Sequence, residues 1–283
     1  MPAKILDGKV CAEEVLNFIK ERLLPEKTPT LVIYRIGDDS ASAVYVRNKV
    51  RAAARVGVIA VVREYPAELK SSNLYQVIKS IEMDAEDPEI DGIMVQLPLP
   101  EGWDVGSLIN RIPPEKDVDG LTSENMGLLH EDRAWHEPCT AKGIMWLLHE
   151  NNIHLTGKHV VVVGRSEIVG KPVALLALNN NATVTICHSR TKNLAEMTRQ
   201  ADILIVAAGK EKLITADMVR PGAVVVDVGI NRDENGKLCG DVDFENVKEI
   251  ASAITPVPGG VGPMTVAMLM MNTFQAAYTV TII

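Results

Sequence analysis

The 283-residue sequence predicts an α/β protein made of two blocks of alternating strands and helices. Three observations carry this. Continuous apolar runs recur without polar alternation, the pattern of strands in a parallel sheet covered on both faces. Segments of helical period separate them. In the second half the strand starts fall roughly twenty residues apart, which suits βα units.

In the first block TLVIYRIG (Thr30 to Gly37) reads as a strand ending in glycine. A helix follows from Ser40 to Arg55 and is ended by Gly57. VIAVVREY (Val58 to Tyr65) is the next strand, and Ser71, Ser72 and Asn73 can cap a helix running to Ala85. GIMVQLPLP is the third strand, stopped by Pro98 and Pro100.

In the second block Thr140 to Asn151 has helical character. Strands follow at His159 to Gly164, Thr183 to His188, Asp202 to Gly209 and Ala223 to Gly229, with three intervening helical segments, the last of them short. Asn235-Gly236 reads as the tight turn of a small hairpin. The joint between the blocks lies between Pro113 and Asn151, where PPEKDVDGLTSENMG is the most loop-like stretch. The rigid, glycine-rich PVPGGVGPMT precedes a final helix, AMLMMNTFQAAYTVTII, read as buried and amphipathic, that returns the chain to the first block.

Hydrophobic residues make up 47% and charged residues 23%, so the chain is globular rather than disordered or collagen-like. A net charge of −8 argues against a nucleic-acid-binding face. No signal-type apolar run opens the sequence, and no uninterrupted stretch reaches the ~20 residues of a membrane helix. Cys11, Cys139, Cys187 and Cys239 lack metal-ligand spacing and read as reduced thiols of a cytoplasmic protein. The six histidines form no ligand set, and no metal site is expected.

HVVVVGRSEIVGKPVALL is the most informative stretch: an apolar strand ends at Gly164, a loop follows, and a helix begins near Gly170. Strand, glycine loop and helix N-terminus together place an anion where free N–H groups and the helix dipole favour it. The spacing Gly164, Ser166, Gly170 is not the standard dinucleotide fingerprint, so the surrounding βα units carry this reading of a Rossmann-like sheet. No carboxylate closes the second strand for ribose hydroxyls; Ser189 and Arg190 stand there, with Arg165 in the first loop. Guanidinium and hydroxyl groups suit a 2′-phosphate, which favours NADP over NAD; solvated surface positions are the other reading of the two arginines.

Chemical candidates in the first block are Tyr45, Lys49, Gln96 and Asp119. Tyr45 and Lys49 lie four apart on one helix face. A buried lysine loses proton affinity and can then serve as acid, base or fixed cation. Tyr45 can stack on a planar ring. Gln96 stands at the C-terminal end of a parallel strand, where open α/β sheets bind ligands, and Asp119 sits in the loop PPEKDVDG. A plain surface helix face is the alternative for the Tyr45–Lys49 pair.

Across essentially its whole length the chain resembles the bifunctional methylenetetrahydrofolate dehydrogenase/cyclohydrolase family of FolD type. The resemblance rests on GDDSASAVYVRNK, DGIMVQLPLP, PEKDVDGL, PCTAKGI, VVVGRSEIVGKP, CHSRT, DVGIN, GDVDF and PVPGGVGPMTV, in that order. It implies two α/β domains flanking a cleft: residues 1–140 with 263–283 binding folate, and 141–262 binding NADP. It implies Lys49 as the central catalytic residue, Tyr45 stacking on the folate, Gln96 setting the protonation of Lys49, and Asp119 on the amino-pyrimidine edge. Leu97, Pro98, Gly259, Gly260 and Pro263 are implied near substrate, and Ser42 matches the family's S-x-x-Y serine. Gly164, Arg165, Ser166, Val169, Gly170, Pro172, Ser189, Arg190 and Ile230 are implied around NADP.

The activity so implied is hydride transfer from 5,10-methylenetetrahydrofolate to NADP+, then hydrolysis of the methenyl product to 10-formyltetrahydrofolate. A homodimer of one-carbon and purine metabolism is implied with it. Arg51 stands where the family often has a second lysine, and Glu167 and Ile168 vary the nucleotide loop. A dehydrogenase that has lost hydrolysis is the main alternative, and a folate- or nucleotide-binding module without turnover is a further one. The Tyr-x-x-x-Lys spacing also mimics short-chain dehydrogenases, but there the pair follows the nucleotide loop, whereas Lys49 precedes Gly164.

Overall fold

The computed structural model describes residues 2–67 and 71–278, with the backbone alone at 71–73. The capping expected of Ser71, Ser72 and Asn73, and the end of the chain from 279 to 283, lie outside the described residues.

The elements run β1 (Lys4–Ile5), α1 (Gly8–Arg22), β2 (Thr30–Ile36), α2 (Ser40–Val56), β3 (Ile59–Tyr65), α3 (Ser71–Glu86) and β4 (Gly92–Val95). Three helices follow, α4 (Val105–Ile109), α5 (Ser123–His130) and α6 (Cys139–Glu150). Then come β5 (His159–Val163), α7 (Gly170–Asn179), β6 (Thr183–Cys187), α8 (Leu194–Thr198), β7 (Ile203–Val206) and, after a 3₁₀ turn at Ala216–Met218, β8 (Val224–Asp227). β9 (Asn231–Arg232), β10 (Leu238–Cys239), α9 (Phe244–Val247), β11 (Ala253–Ile254) and α10 (Val261–Tyr278) complete the order.

The chain forms two compact units. One takes the residues up to Ala12 together with Thr140–Thr265; the other takes Glu13–Cys139 and the chain from Val266 onward. The N-terminal residues, placed with the first block from sequence, join the second because β1 pairs in parallel with β11.

In the unit from Glu13 to Cys139 a parallel sheet runs β3-β2-β4. β2 is central, and Leu31 to Tyr34 are fully buried. The core beneath it includes Val32, Tyr34, Ile81, Ile93 and Leu108. Asp39 caps α2 by accepting the Ser42 N–H at 2.6 Å, and Gly57 ends it at φ 85°. That left-handed conformation is the one glycine adopts without strain.

Sequence reading leaves out α1, α4, α5 and α9. α4 has five residues, too few for a period to show. α5 begins inside the stretch read as a loop, where Thr122 accepts the Asn125 N–H as its N-cap. Helix α10 corrects the amphipathic reading. It begins within the glycine-rich stretch, at Val261, and every residue from Ala267 to Phe274 is buried. A helix that is apolar all round has no solvent face to expose.

The other unit holds a six-stranded parallel sheet in the order β1-β11-β8-β7-β5-β6. From β5 the chain winds outward to β6, then returns to place β7 on the other side of β5. That reversal makes a doubly wound sheet with a switch point between β5 and β7. Val161, Leu204, Val206, Val225 and Ile254 are among the buried residues of its core. β9 and β10 form the expected hairpin, with Gly236 at φ 75° in its turn. Among the described residues no helix is long and apolar enough to cross a membrane.

Candidate active site

Helix α2 carries Tyr45 and Lys49 on one face, as their spacing requires. Lys49 is only 7% exposed, whereas Tyr45 keeps 37% of its surface accessible. β4 ends at Val95, so Gln96 is the first residue beyond it and is also buried. The Lys49 ammonium donates to Gln96 Oε1 at 2.9 Å and approaches Met94 Sδ at 3.5 Å. Gln96 Nε2 donates to the Leu97 carbonyl at 2.6 Å, so its amide oxygen is the atom turned to Lys49.

Asp119 comes from a loop whose two neighbours are fixed. Asp117, fully buried, accepts N–H bonds from Gly120 at 3.0 Å and Thr122 at 2.8 Å, and a third from Asn125 Nδ2 at 3.0 Å. Asn272 of α10 donates from Nδ2 to the carbonyls of Val118, the residue before Asp119, at 2.9 Å and of Glu137 at 3.0 Å. Cys139 Sγ donates to the same Val118 carbonyl at 3.2 Å. Gly120 sits at φ 71°, and a Cβ there would fall 2.7 Å from the His136 carbonyl oxygen.

Charge and burial oppose each other in this cluster. Burial pulls the Lys49 amine below its ordinary range, and the charge of Asp119 pulls it back. Burial likewise pushes the Asp119 carboxyl up, and the Lys49 ammonium holds it down. Burial of this kind lowers a lysine's hold on its proton, the property that general acid–base chemistry uses.

At the switch point of the six-stranded sheet lies a cavity of about 520 Å³. It is lined from the ends of three strands: Gly164, Arg165 and Ser166 after β5, His188, Ser189 and Thr191 after β6, and Ala207, Ala208 and Lys210 after β7. Gly164 stands at φ 131°, and a Cβ there would lie 2.2 Å from the Ala207 carbonyl oxygen. A Cβ at Gly170 would lie 2.4 Å from the Gly164 carbonyl oxygen. Both glycines therefore serve close backbone approach.

The first turn of α7 differs from the expected row of free donors. Gly170 N–H donates to Ser166 Oγ at 3.3 Å, Lys171 N–H donates to the Ser166 carbonyl, and Pro172 has no N–H. The helix dipole and the side chains of the loop remain to attract an anion. After β6, the Arg190 N–H donates to His188 Nδ1 at 3.1 Å and the His188 N–H to Thr191 Oγ1 at 2.8 Å. These bonds hold the turn that presents Ser189.

Of the sequence candidates, Lys49 and Gln96 are in direct contact, and Asp119 and Lys49 interact through their charges. Ser42 is buried on α2, one turn before Tyr45 and Val46. Gly164, Arg165, Ser166 and Ser189 line the cavity, while Val169, Gly170, Pro172, Arg190 and Ile230 lie outside its lining. Gly259 and Gly260 pack tightly at the start of α10, where a Cβ on Gly260 would lie 2.6 Å from the Pro256 carbonyl oxygen. Sequence reading missed Asp117, Asn272, Lys210 and Asp241; the polar breaks in the apolar tail and the GDVDF stretch were the available signals.

A desolvated lysine held beside a carboxylate moves protons, and a cavity at the switch point of a doubly wound sheet takes a dinucleotide. The class defined is that of nucleotide-dependent enzymes built from two α/β units. Residues 6–119 match the catalytic domain of tetrahydrofolate dehydrogenase/cyclohydrolase, and residues 138–281 match its NAD(P)-binding domain. The chain belongs to this tetrahydrofolate dehydrogenase/cyclohydrolase family. It is 50% identical to the bifunctional protein FolD of Bordetella avium over 98% of both chains. It is 54% identical to that of Methanospirillum hungatei over 96% of this chain and 97% of the other. The bifunctional FolD of Campylobacter jejuni superposes with a TM-score of 0.94 at 41% identity, covering 98% of this chain and 99% of that one. The Trypanosoma brucei enzyme, solved with NADP cofactor and inhibitor, gives 0.93 at 36% identity, covering 99% and 98%.

Proposed function

We propose that the chain oxidises 5,10-methylenetetrahydrofolate with NADP+ and hydrolyses the methenyl product to 10-formyltetrahydrofolate. The observation that carries the hydrolytic half is the buried Lys49 ammonium, 2.9 Å from Gln96 Oε1 and under the charge of Asp119. Its low proton affinity leaves an amine able to take the proton of a water attacking the methenyl carbon. A proton is returned to N5 as the ring opens, and Gln96 keeps the amine aimed through both transfers. Tyr45 offers a partly exposed ring on the same helix face for stacking against the folate. Asp119 suits the amino-pyrimidine edge, whose two N–H groups match one carboxylate.

The cavity fits NADP by its size, its position at the strand ends and the donors around it. Bound there, NADP+ supplies hydride acceptance. Arg165, Ser166, Ser189 and Lys210 would hold its phosphates, and the tight Gly164 loop would let backbone approach the pyrophosphate. Leu97, Pro98, Gly259, Gly260 and Pro263 complete the proposed folate contacts, and Val169, Gly170, Pro172, Arg190 and Ile230 the proposed NADP contacts.

We further assign a homodimer in the cytoplasm. Among the described residues β3 is an edge strand whose outer side pairs with no other strand, and Ile59 on it is half exposed. The four cysteines form no disulfide among the described residues, which suits a reducing compartment. A monomer mass by light scattering would remove the dimer.

The test incubates the protein with 5,10-methylenetetrahydrofolate and NADP+ or NAD+ and follows reduced cofactor and methenyltetrahydrofolate separately. Reduction of NADP+ with little methenyl accumulation is expected. Stoichiometric methenyl accumulation would leave a dehydrogenase alone, and absence of reduction despite folate binding would leave a binding module.

A further inference from the structure

One wall of the 520 Å³ cavity is the loop after β7, and its backbone donors are turned away from any ligand. The N–H groups of Ala208 and Gly209 donate to Asp241 Oδ2 at 2.6 and 2.9 Å, and the Lys210 N–H donates to Asp241 Oδ1 at 2.8 Å. Three successive N–H groups on one carboxylate form an anion nest, filled here by the protein's own side chain. Asn231 Nδ2 donates to the same Oδ1 at 2.8 Å, so Asp241 also ties down the start of β9, the residue next to Ile230.

Asp241 is itself seated. Its N–H donates to Asp227 Oδ1 at 2.9 Å, the Val242 N–H to Asp227 Oδ2 at 2.9 Å, and the Gly229 N–H to Asp227 Oδ1 at 3.0 Å. Only glycine leaves room around the two carboxylates. A Cβ on Gly229 would lie 2.3 Å from Asp241 Cγ, and one on Gly240 would lie 1.8 Å from Asp227 Oδ2. Asp241 is fully buried; three of its donors come from the loop after β7 and the fourth from Asn231, the first residue of β9.

We propose that Asp241 is a positioning residue for the dinucleotide. It fixes the Ala208–Lys210 wall and Asn231 against one another, and so sets the shape of the cavity without touching the ligand. The proposal rests on the reading of that cavity as the NADP site. The carboxylate is specifically required. In an asparagine, whichever way the amide turns, an NH₂ faces two of the four N–H donors.

The experiment titrates NADP+ calorimetrically into the full chain as wild type, Asp241→Asn and Arg165→Ala. Hydrolysis of supplied methenyltetrahydrofolate without nicotinamide, and the melting temperature, are measured in parallel. Asp241→Asn is expected to weaken NADP+ binding tenfold or more while methenyl hydrolysis stays within threefold. Equal losses in both readouts would reduce Asp241 to a folding residue and overturn the proposal. Unchanged NADP+ affinity in Asp241→Asn, with tenfold weakening in Arg165→Ala, would overturn it while leaving the cavity as the NADP site. Unchanged affinity in both variants would remove the cavity reading itself. If Asp241→Asn does not fold, Asn231→Ala removes a single donor and is expected to weaken NADP+ binding about threefold, an unchanged affinity overturning the proposal.

Discussion

Lys49 Nζ and Gln96 Oε1 are 2.9 Å apart, joining helix α2 to the C-terminal end of β4. The bond is directional because Gln96 Nε2 is already committed to the Leu97 carbonyl. A neutral acceptor steadies the ammonium without adding charge, so burial continues to hold the lysine's proton affinity down.

Gln96→Glu changes that balance. A carboxylate at hydrogen-bond distance favours the ammonium and raises the pKa of Lys49. With the neutral amine as the base, the rising limb of the pH–rate profile for methenyl hydrolysis moves to higher pH. The rate on that limb falls at any fixed pH. A profile that stays in place would separate Gln96 from the protonation of Lys49.

Lys49→Met replaces the amine with an apolar side chain of similar length in a site that already contains Met94. Loss of a general base lowers such rates by about 10²–10⁴. The fold is expected to persist, with a melting temperature within a few degrees of wild type, because a desolvated charge has been removed from the interior. Unchanged hydrolysis of methenyltetrahydrofolate would sink the assignment of Lys49.

Much of this arrangement was legible in the sequence, for reasons that differ by element. β2, β4, β5, β7 and β8 are buried on both faces, so their runs are continuously apolar and easy to read. β1, β9, β10 and β11 have two residues each and carry no pattern. Lys49, Gln96 and Asp119 were named from local spacing and resemblance, and two of them prove to be in direct contact. Asp117, Asn272 and Asp241 were not named because their partners are mainly backbone groups. Asn272 reaches Val118 from 154 residues away, and Asp241 reaches Ala208 from 33. No sequence pattern marks a polar side chain whose work is to fix someone else's loop.

Asn272→Leu tests that kind of work in the folate unit. The substitution keeps the number and branching of side-chain heavy atoms and removes the amide donor from the Glu137 carbonyl and from the Val118 carbonyl, which retains Cys139 Sγ. Each unsatisfied buried group costs about 1–3 kcal/mol, a drop of roughly 2–4 °C per kcal/mol in melting temperature for a unit of this size. Loosening Val118, the residue before Asp119, is expected to raise the KM for folate about tenfold with NADP+ affinity unchanged. A lower melting temperature with an unaltered folate KM would make the amide a stabilising residue alone.

Asp227 makes the other unit's stability depend on pH. Burial pushes its carboxyl up to about 7 despite three backbone N–H donors. Because the folded-state value lies above the unfolded one, the native chain holds a proton that the unfolded chain releases between pH 4 and 7. The contribution to stability is full below the unfolded value and is lost as pH rises through 7. A shift of about three units corresponds to about 4 kcal/mol at most. Asp227→Asn cannot titrate and leaves one N–H facing an NH₂. It should be clearly less stable than wild type in urea at pH 5, and the gap should narrow by pH 8. A gap that stays constant from pH 5 to 8 would mean that Asp227 is ionised in the folded protein throughout. Its three N–H bonds would then outweigh its burial.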